Sequence, residues 1–182
     1  KSIWFPNHDE SNKDGLIAVG GDLSVERLMH AYHSGIFPWF NEGQPLLWWS
    51  PDPRMILLPE SFKVSKSLKK TILINKYKIT FKTSFEEVIN CCSKIKRKGQ
   101  QGTWITKNMI PAYLQLHKKG HAQSVEVWSE NQLVGGLYGI DLKEKKIFCG
   151  EYVVVARWNG YICHDPDYSN IRSEEHTSEL QS

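Results

Sequence analysis

One stretch constrains the fold of this 182-residue chain more than any other: residues 36–54, IFPWFNEGQPLLWWSPDPR. It holds three of the seven tryptophans and four of the eight prolines. Pro38 and Pro45 exclude a helix, and Pro51 and Pro53 exclude a central strand position. Large aromatic faces therefore lie on a backbone shaped by proline. The stretch is either a core plug beneath a long loop or a stacking platform for a flat ligand such as a nucleobase.

Length and composition indicate one domain or two small ones in an ordinary soluble protein. Hydrophobic residues make up 40% of the chain and charged residues 24%, which is typical of globular proteins. The net charge of +3 is compatible with a nucleic-acid partner without requiring one. No apolar run approaches the roughly 18 residues of a membrane span, and the N-terminal residues lack the apolar core of a secretion signal. We expect a cytoplasmic protein whose four cysteines are reduced.

The N-terminal part contains the pattern of one short helix. Ser24 is a suitable N-cap, and Gly35 fits the residue just after the helix end. Between them an apolar stripe recurs at helical spacing, formed by Leu28, Ala31 and Tyr32. The preceding apolar run, residues 16–19, is too short to classify, and the Gly-Gly-Asp after it lacks the fingerprint of a phosphate-binding loop.

Two further helices are predicted before residue 95. A short basic helix begins at Ser65, and a second helix is capped by Thr83 or Ser84, since each has a glutamate three residues later. The second helix buries Phe85, Val88, Ile89 and Cys92.

The last predicted helix begins after Asn108, which places Pro111 in its first turn. Its predicted buried face is Ile110, Tyr113, Leu114 and His117. His117 and His121 are four residues apart, but no third ligand accompanies them, so no metal site is predicted.

The strand pattern indicates an antiparallel sheet. Residues 77–81 alternate, with Tyr77, Ile79 and Phe81 on one face. A hairpin turns at Glu130 and Asn131, and Gly135, Gly136 and Gly139 in its second arm indicate a bulge or a close backbone approach. The predicted strands are 55–58, 77–81, 124–128, 133–140 and 147–151. Strands beside helices in this order predict an α+β fold.

With these motifs in place, the sequence resembles the leucyl/phenylalanyl-tRNA–protein transferase family over residues 3–151. The segments that carry the resemblance are GLIAVGGDLS, AYHSGIFPWFNEGQPLLWWSPDPR, GTWIT, AYLQLHKKGHAQSVEVW, LVGGLYG and IFCGE. The resemblance implies a small N-terminal α+β domain over residues 1–60. It also implies the first half of an acetyltransferase-like (GNAT-like) domain, with a mixed or antiparallel sheet, over residues 61–151.

The implied activity is transfer of Leu or Phe from Leu-tRNA or Phe-tRNA to the N-terminal Arg or Lys of acceptor proteins. This tagging marks the acceptor for N-degron proteolysis in the bacterial cytoplasm. No metal and no organic cofactor is implied, no membrane is involved, and a monomer is expected.

The resemblance also implies five site residues. Trp39 matches the aromatic residue that stacks on the terminal adenine of the tRNA, and Trp104 matches a second ligand-facing aromatic residue. Leu137 and Phe148 match positions that line the pocket for the transferred side chain. Glu151 matches a catalytic carboxylate beside the acceptor.

Other parts of the chain have supporting roles in this interpretation. Trp48 and Trp49 are expected to pack between the two domains. The basic segments 66–70 and 94–99 are expected to contact tRNA phosphates without reading bases.

Past Glu151 the resemblance ends, and residues 152–182 read as a non-family tail. The final eleven residues, RSEEHTSELQS, correspond codon for codon to an in-frame translation of a short-read sequencing adapter. We therefore expect residues 172–182 to be a library artefact and residues 152–171 to be chimeric or frame-shifted. The family's later Asp-Cys-Gln segment has no counterpart in residues 163–165, Cys-His-Asp.

This tail predicts an inactive and poorly soluble polypeptide. Without later strands and helices, the apolar side chains of Val125, Val127, Leu137 and Phe148 are expected to lie uncovered.

Two other functions fit parts of the sequence. A non-catalytic RNA- or peptide-binding module would use the aromatic platform and the basic surface. An acyl-CoA-dependent acetyltransferase would need a glycine-rich pyrophosphate loop, which is not in the usual position.

Overall fold

The computed structural model describes residues 3–53, 61, 63–94, 105–143, 147–153, 157–158 and 161–162, the last three ranges as backbone only. Within this part of the chain, no helix is long and apolar enough to cross a bilayer. The predicted strand 55–58 and the boundary predicted near residue 60 lie outside the described residues.

The N-terminal part forms a three-stranded antiparallel sheet with one helix. Its elements are β1 (Leu16–Val19), α1 (Val25–His33), β2 (Phe37–Pro38) and β3 (Leu47–Trp49), and the strand order is β1-β3-β2. The expectation that the proline-rich stretch contains no central strand is therefore wrong. Pro45 and Pro51 lie outside β3, and Trp48 and Trp49 of this strand pair on both sides, with β1 and with β2.

The predicted ends of α1 are confirmed. The Ser24 side chain accepts a hydrogen bond from the Arg27 N–H, and Gly35 follows the C-cap with φ of 72°. The helix buries the predicted stripe, Leu28, Ala31 and Tyr32. Local capping and periodicity were sufficient to define this element.

The second part is an α+β arrangement around a four-stranded antiparallel sheet. The helices are α2 (Lys66–Leu73), α3 (Phe85–Lys94) and α4 (Met109–Lys118). The sheet has the order β4-β5-β6-β7, and β8 and β9 form a separate pair. These strands are β4 (Lys78–Phe81), β5 (Ala122–Ser129), β6 (Gln132–Leu142), β7 (Ile147–Val153), β8 (Arg157–Trp158) and β9 (Tyr161–Ile162).

The predicted hairpin is the centre of this sheet. Glu130 and Asn131 form its two-residue turn with φ of 48° and 64°, as expected for the tight turn that matches strand twist. The register shifts beside Val127, which confirms a bulge in the glycine-rich region. A Cβ atom on Gly136 would lie 3.0 Å from both Cγ atoms of Val88 on α3, so the predicted close approach is also confirmed.

One prediction for α4 is wrong. Its buried residues are Met109, Tyr113 and Leu116, whereas the sequence favoured a stripe that included Leu114 and His117. Both stripes have helical spacing, and the packing of α4 against α1, α3 and β5 selects the first. Asn108 is the N-cap residue, as predicted, but its side chain makes no capping hydrogen bond.

The two parts share one continuous apolar core. Tyr32 of α1 and Tyr113 of α4 are hydrogen-bonded through their hydroxyl groups. The Tyr113 ring meets the Tyr138 ring of β6 edge to face at a centroid distance of 5.8 Å. At the surface, Lys119 Nζ lies 3.1 Å from Glu26 Oε1. The contact between the parts therefore depends on α1, α4 and β6.

The far face of the four-stranded sheet is only partly covered. The alternation of β4 is confirmed, but Ile79 and Phe81 are 55% and 64% exposed. Val125 and Val127, predicted to be uncovered, are half-buried. The basic helix α2 buries no residue. Exposed apolar surface is thus concentrated at the β4 edge of the sheet and on α2.

We predict that Gly136→Ala lowers the free energy of unfolding by about 1–3 kcal/mol, because the new methyl group overpacks against the β-branched Val88. Gly135→Ala is the matched control, since its Cβ would lie 3.5 Å from Val127 Cβ, an ordinary contact. Urea denaturation measures both variants. Equal stability of the two variants would contradict the prediction, whereas partial recovery in Gly136→Ala with Val88→Ala would support it.

Candidate functional site

Trp39 is held at the surface by the strand beside it. The backbone N–H of Trp39 donates to the Leu47 carbonyl at 3.0 Å. The backbone carbonyl of Trp39 accepts a hydrogen bond of 2.6 Å from the indole Nε1 of Trp49. The Trp39 side chain is 45% exposed, so a large aromatic face lies on a backbone fixed on both sides.

The two adjacent tryptophans of β3 have different environments because side chains alternate along a strand. Trp48 is 1% exposed, donates from Nε1 to the Gly20 carbonyl at 2.9 Å and meets the Phe5 ring edge to face at 4.9 Å. Trp49 is half-buried, and its ring centroid lies 5.7 Å from that of Trp39 at a tilt of 52°. Trp48 is a core residue, and Trp49 lies beside the exposed ring of Trp39.

The other predicted site residues belong to the four-stranded sheet. Leu137 on β6 is half-buried and pairs with Val125 on β5 and with position 152 on β7. Position 148 pairs with Asp141, which puts it on the same face as Leu137 by strand alternation. Position 151 pairs with Tyr138. The structure therefore brings the predicted pocket positions 137 and 148 onto neighbouring strands, and Trp104 lies outside the described residues.

A lysine-rich surface surrounds α2 and β4. Residues 63–82 contain seven lysines and no acidic residue, and all seven are exposed. Such a surface attracts phosphate groups over a distance of about one Debye length, roughly 8–10 Å at physiological salt. Of the two basic segments predicted to contact RNA, 66–70 is part of this surface, whereas 95–99 lies outside the described residues. The lysines are Lys63, Lys66, Lys69, Lys70, Lys76, Lys78 and Lys82.

A buried carboxylate joins the sheet to the start of α3. Glu126 is 0% exposed and accepts hydrogen bonds from the Ser124 hydroxyl at 2.5 Å and the Thr80 hydroxyl at 2.6 Å. It also accepts from the Thr83 hydroxyl at 2.9 Å and the Ser84 backbone N–H at 3.3 Å. The N-terminus of α3 is thus bound by a residue of a distant strand.

These hydrogen bonds set the charge state of Glu126. Burial raises the pKa of this carboxyl, but hydrogen bonds from Ser124, Thr80, Thr83 and the Ser84 backbone outweigh burial and hold the pKa below its usual value. Glu126 is therefore an ionised, structural carboxylate at neutral pH.

One cleft of the N-terminal part is not lined by any of the predicted site residues. It measures about 450 Å³ and lies between the N-terminal segment and α1. Its lining includes Trp4, His8, Glu10, His30 and Ile36. Among the described residues, no group of three or more His, Cys, Asp or Glu side chains is arranged to hold a metal ion.

Sequence reasoning missed two residues of this arrangement, Trp49 and Glu126. The alternation in Leu47-Trp48-Trp49 would have separated an inward from an outward tryptophan, had the stretch been recognised as a strand. No local signal identifies Glu126, because the Thr80, Thr83 and Ser84 donors lie more than 40 positions away.

Known protein families match both parts of the chain. Residues 56–160 match the sequence model of the family described as leucyl/phenylalanyl-tRNA protein transferase. Residues 21–52 match the model of the N-terminal domain of that family. The first match ends nine residues beyond Glu151 (160 − 151).

Individual relatives carry the same name, leucyl/phenylalanyl-tRNA–protein transferase. The Christiangramia forsetii protein is 56% identical over 147 residues, which are 81% of this chain and 69% of that protein. The Flavobacterium johnsoniae protein is 55% identical over 151 residues, 83% of this chain and 70% of the relative. The Flavobacterium psychrophilum protein is 54% identical over 151 residues, covering 83% and 71%.

The lowered pKa of Glu126 gives a pH prediction. A carboxyl with a lowered folded pKa stabilises the fold above its unfolded pKa, about 4.3, and loses this contribution as the pH falls through the folded pKa. We expect Glu126→Gln to cost about 1–3 kcal/mol at pH 7 and the cost to shrink below pH 4. Urea denaturation from pH 7 to pH 3 measures it, with Glu130→Gln as an exposed control. A cost that is constant with pH would exclude this role for the charge.

Proposed function

This chain belongs to the leucyl/phenylalanyl-tRNA–protein transferase family, a family of aminoacyltransferases, and from that premise we propose its reaction. The proposed reaction is the transfer of Leu or Phe from Leu-tRNA or Phe-tRNA to the N-terminal Arg or Lys of an acceptor protein. The modified acceptor enters N-degron proteolysis in the cytoplasm. The structural observation that carries this proposal is Trp39 itself. Its side chain is exposed, and its backbone is held by hydrogen bonds.

Trp39 fits the terminal adenine of the aminoacyl-tRNA. Trp39 is 45% exposed, whereas Trp48, in the central strand of the same N-terminal sheet, is 1% exposed. Base–aromatic stacking contributes about 1–3 kcal/mol and requires only an accessible face. We also assign Trp104 as a second ligand-facing ring, on the basis of the family resemblance.

The reaction is the aminolysis of an ester. The α-amine nitrogen of the acceptor attacks the ester carbonyl, a C–N bond forms, and the C–O bond to the tRNA 3′ end breaks. The proton lost by the amine is balanced by the proton gained by the ribose oxygen. Since an α-amine has a pKa of about 8, much of the rate enhancement can come from alignment, worth up to about 7–11 kcal/mol.

Glu151 is the proposed catalytic carboxylate. Glu151 lies on β7 of the sheet that also carries Leu137, and its pairing with Tyr138 of β6 puts position 151 on the opposite face from position 148 by strand alternation. A carboxylate there would bind the cationic N-terminal residue of the acceptor or orient its amine. Neither a metal nor an organic cofactor is required for this chemistry.

Leu137 and Phe148 are the proposed lining of the pocket for the transferred side chain. They occupy neighbouring strands and the same face of the sheet. An apolar pocket discriminates one methylene group by only about 1–3 kcal/mol. The shape of the pocket must therefore contribute to the rejection of β-branched Ile and Val.

The architecture proposed for this reaction has two domains in a monomer. Residues 1–60 form the N-terminal domain, and residues 61–151 form part of a GNAT-like domain. The antiparallel order β4-β5-β6-β7 beside α3 and α4 is compatible with a GNAT-like sheet. The lysine-rich surface of α2 and β4 contacts phosphates of the tRNA.

The transfer reaction tests the function directly. With the Flavobacterium johnsoniae relative as the enzyme, we expect labelled leucine to move from Leu-tRNA to a peptide that begins with Arg, and not to one that begins with Glu. Turnover by this chain should be well below that of the full-length Flavobacterium johnsoniae relative, because the sheet face that carries Leu137 is only partly covered in the described residues. Equal turnover by this chain and the relative would contradict the argument from the partly covered sheet face. If the relative also fails to transfer leucine, the proposed reaction itself is contradicted.

Substitution of Trp39 tests the platform. Trp39→Ala should weaken Leu-tRNA binding about 10-fold or more because stacking on the adenine is removed, with little change in thermal stability. Trp4→Ala is the matched control, since Trp4 is also exposed, at 68%. If Trp39→Ala instead unfolds the N-terminal part, the ring is a core plug. If it leaves binding unchanged, the platform is assigned to the wrong residue.

Charge reversal tests the lysine surface. The triple variant Lys66→Glu, Lys69→Glu and Lys70→Glu should weaken Leu-tRNA binding. It should also reduce the slope of log K against log salt by about 0.7–0.9 for each phosphate that the variant no longer neutralises. A control with the same change in charge replaces Lys13, Lys118 and Lys143, which are also exposed. An equal weakening in both variants would show that only net charge matters.

A further inference from the structure

We propose that Trp49 is a positioning residue that fixes the ring of Trp39 for the terminal adenine. The inference rests on the proposed function, because it takes Trp39 as the stacking platform. Trp49 donates its indole N–H to the Trp39 carbonyl at 2.6 Å. Its ring also lies beside the Trp39 ring, with centroids 5.7 Å apart. One side chain thus holds both the backbone and the ring of its neighbour.

The need for this contact follows from the end of the strand pairing. β2 is an edge strand of two residues, and its pairing with β3 ends at Pro38 opposite Trp48. Beyond that pair, the last backbone hydrogen bond runs from the Trp39 N–H to the Leu47 carbonyl. The Trp49 side chain supplies the hydrogen bond to the Trp39 carbonyl, where the ladder has stopped.

A fixed ring binds a base more tightly than a mobile one. Immobilising a side chain on binding has an entropic cost, and a side chain held in place beforehand avoids it. For one side chain this corresponds to about a 2- to 10-fold change in Kd. The 52° tilt of the two rings leaves Trp39 45% exposed, so the contact restrains the ring without covering it.

Trp48 provides a matched comparison on the same strand. It also donates its indole N–H to a backbone carbonyl, that of Gly20, at 2.9 Å. Its ring lies in the core and is 1% exposed. Replacing either tryptophan by Phe removes one such hydrogen bond and keeps an aromatic ring, but only the substitution at position 49 affects Trp39.

The experiment measures binding of a stable analogue of the aminoacyl end of the tRNA. The probe is radiolabelled 3′-leucylamino-3′-deoxyadenosine, in which an amide replaces the ester so that no transfer occurs. Equilibrium dialysis gives Kd for the full chain and for Trp49→Phe, Trp48→Phe, Trp39→Ala and the double variant Trp39→Ala with Trp49→Phe. Thermal denaturation of each protein separates loss of binding from loss of the fold.

We expect Trp49→Phe to raise Kd about 2- to 10-fold with a small change in Tm. Trp48→Phe should lower Tm more and leave Kd unchanged. In the Trp39→Ala background, Trp49→Phe should have no further effect on Kd, because the ring that it positions is absent. This non-additivity distinguishes a positioning role from a direct contact with the probe.

Two results would overturn the inference in different ways. If Trp39→Ala weakens binding and Trp49→Phe does not, Trp49 has no positioning role and the proposed function is unaffected. The same holds if the two substitutions are additive, which would mean that Trp49 contacts the ligand itself. If the unmodified chain does not bind the probe, or if Trp39→Ala binds it normally, the platform itself is wrong and the inference fails with it.

Discussion

The buried carboxylate of Glu126 is the constraint on which the larger sheet depends. An ionised carboxylate in the interior is unfavourable by several kcal/mol unless hydrogen bonds replace its hydration. Here the donors come from β4, from the residues before α3 and from β5 itself. Because all of them must converge on one side chain, the start of α3 has one position relative to the sheet. That position places Val88 of α3 against Gly136 of β6. The β5–β6 hairpin, which carries Leu137, packs against α3.

Short-range signals predicted most of the elements. Ser24 caps α1 as expected, since the capping hydrogen bond joins residues only three positions apart. The short basic helix predicted from Ser65 is also present, with Ser65 as its N-cap. The hairpin followed from the alternation of β5 and from the two turn residues Glu130 and Asn131. In the proline-rich stretch the prediction was wrong because proline disfavours a central strand only at its own position, and the three residues of β3 lie between Pro45 and Pro51.

Long-range choices could not be made from one sequence. Two stripes of α4 have equal helical spacing, and only packing against three other elements decides that Leu116 is buried and Leu114 less so. The Tyr32 and Tyr113 hydroxyls are 81 positions apart, and nothing near either residue indicates the pair. The role of Glu126 is hidden for the same reason. The ligand proposed for Trp39 comes from the family resemblance and not from short-range physics.

The length of β3 explains how a chain keeps one tryptophan exposed beside another that is buried. A three-residue strand has one inward position, and Trp48 occupies it. Leu47 and Trp49 occupy the outward positions, and both hold the backbone of Trp39. The Leu47 carbonyl accepts a hydrogen bond from the Trp39 N–H, and the Trp49 indole N–H donates one to the Trp39 carbonyl. A longer strand would pair Trp39 within the ladder, and a shorter one would lack one of the two bonds. Pro45 and Pro51 lie on either side of β3, where proline disfavours its extension in both directions.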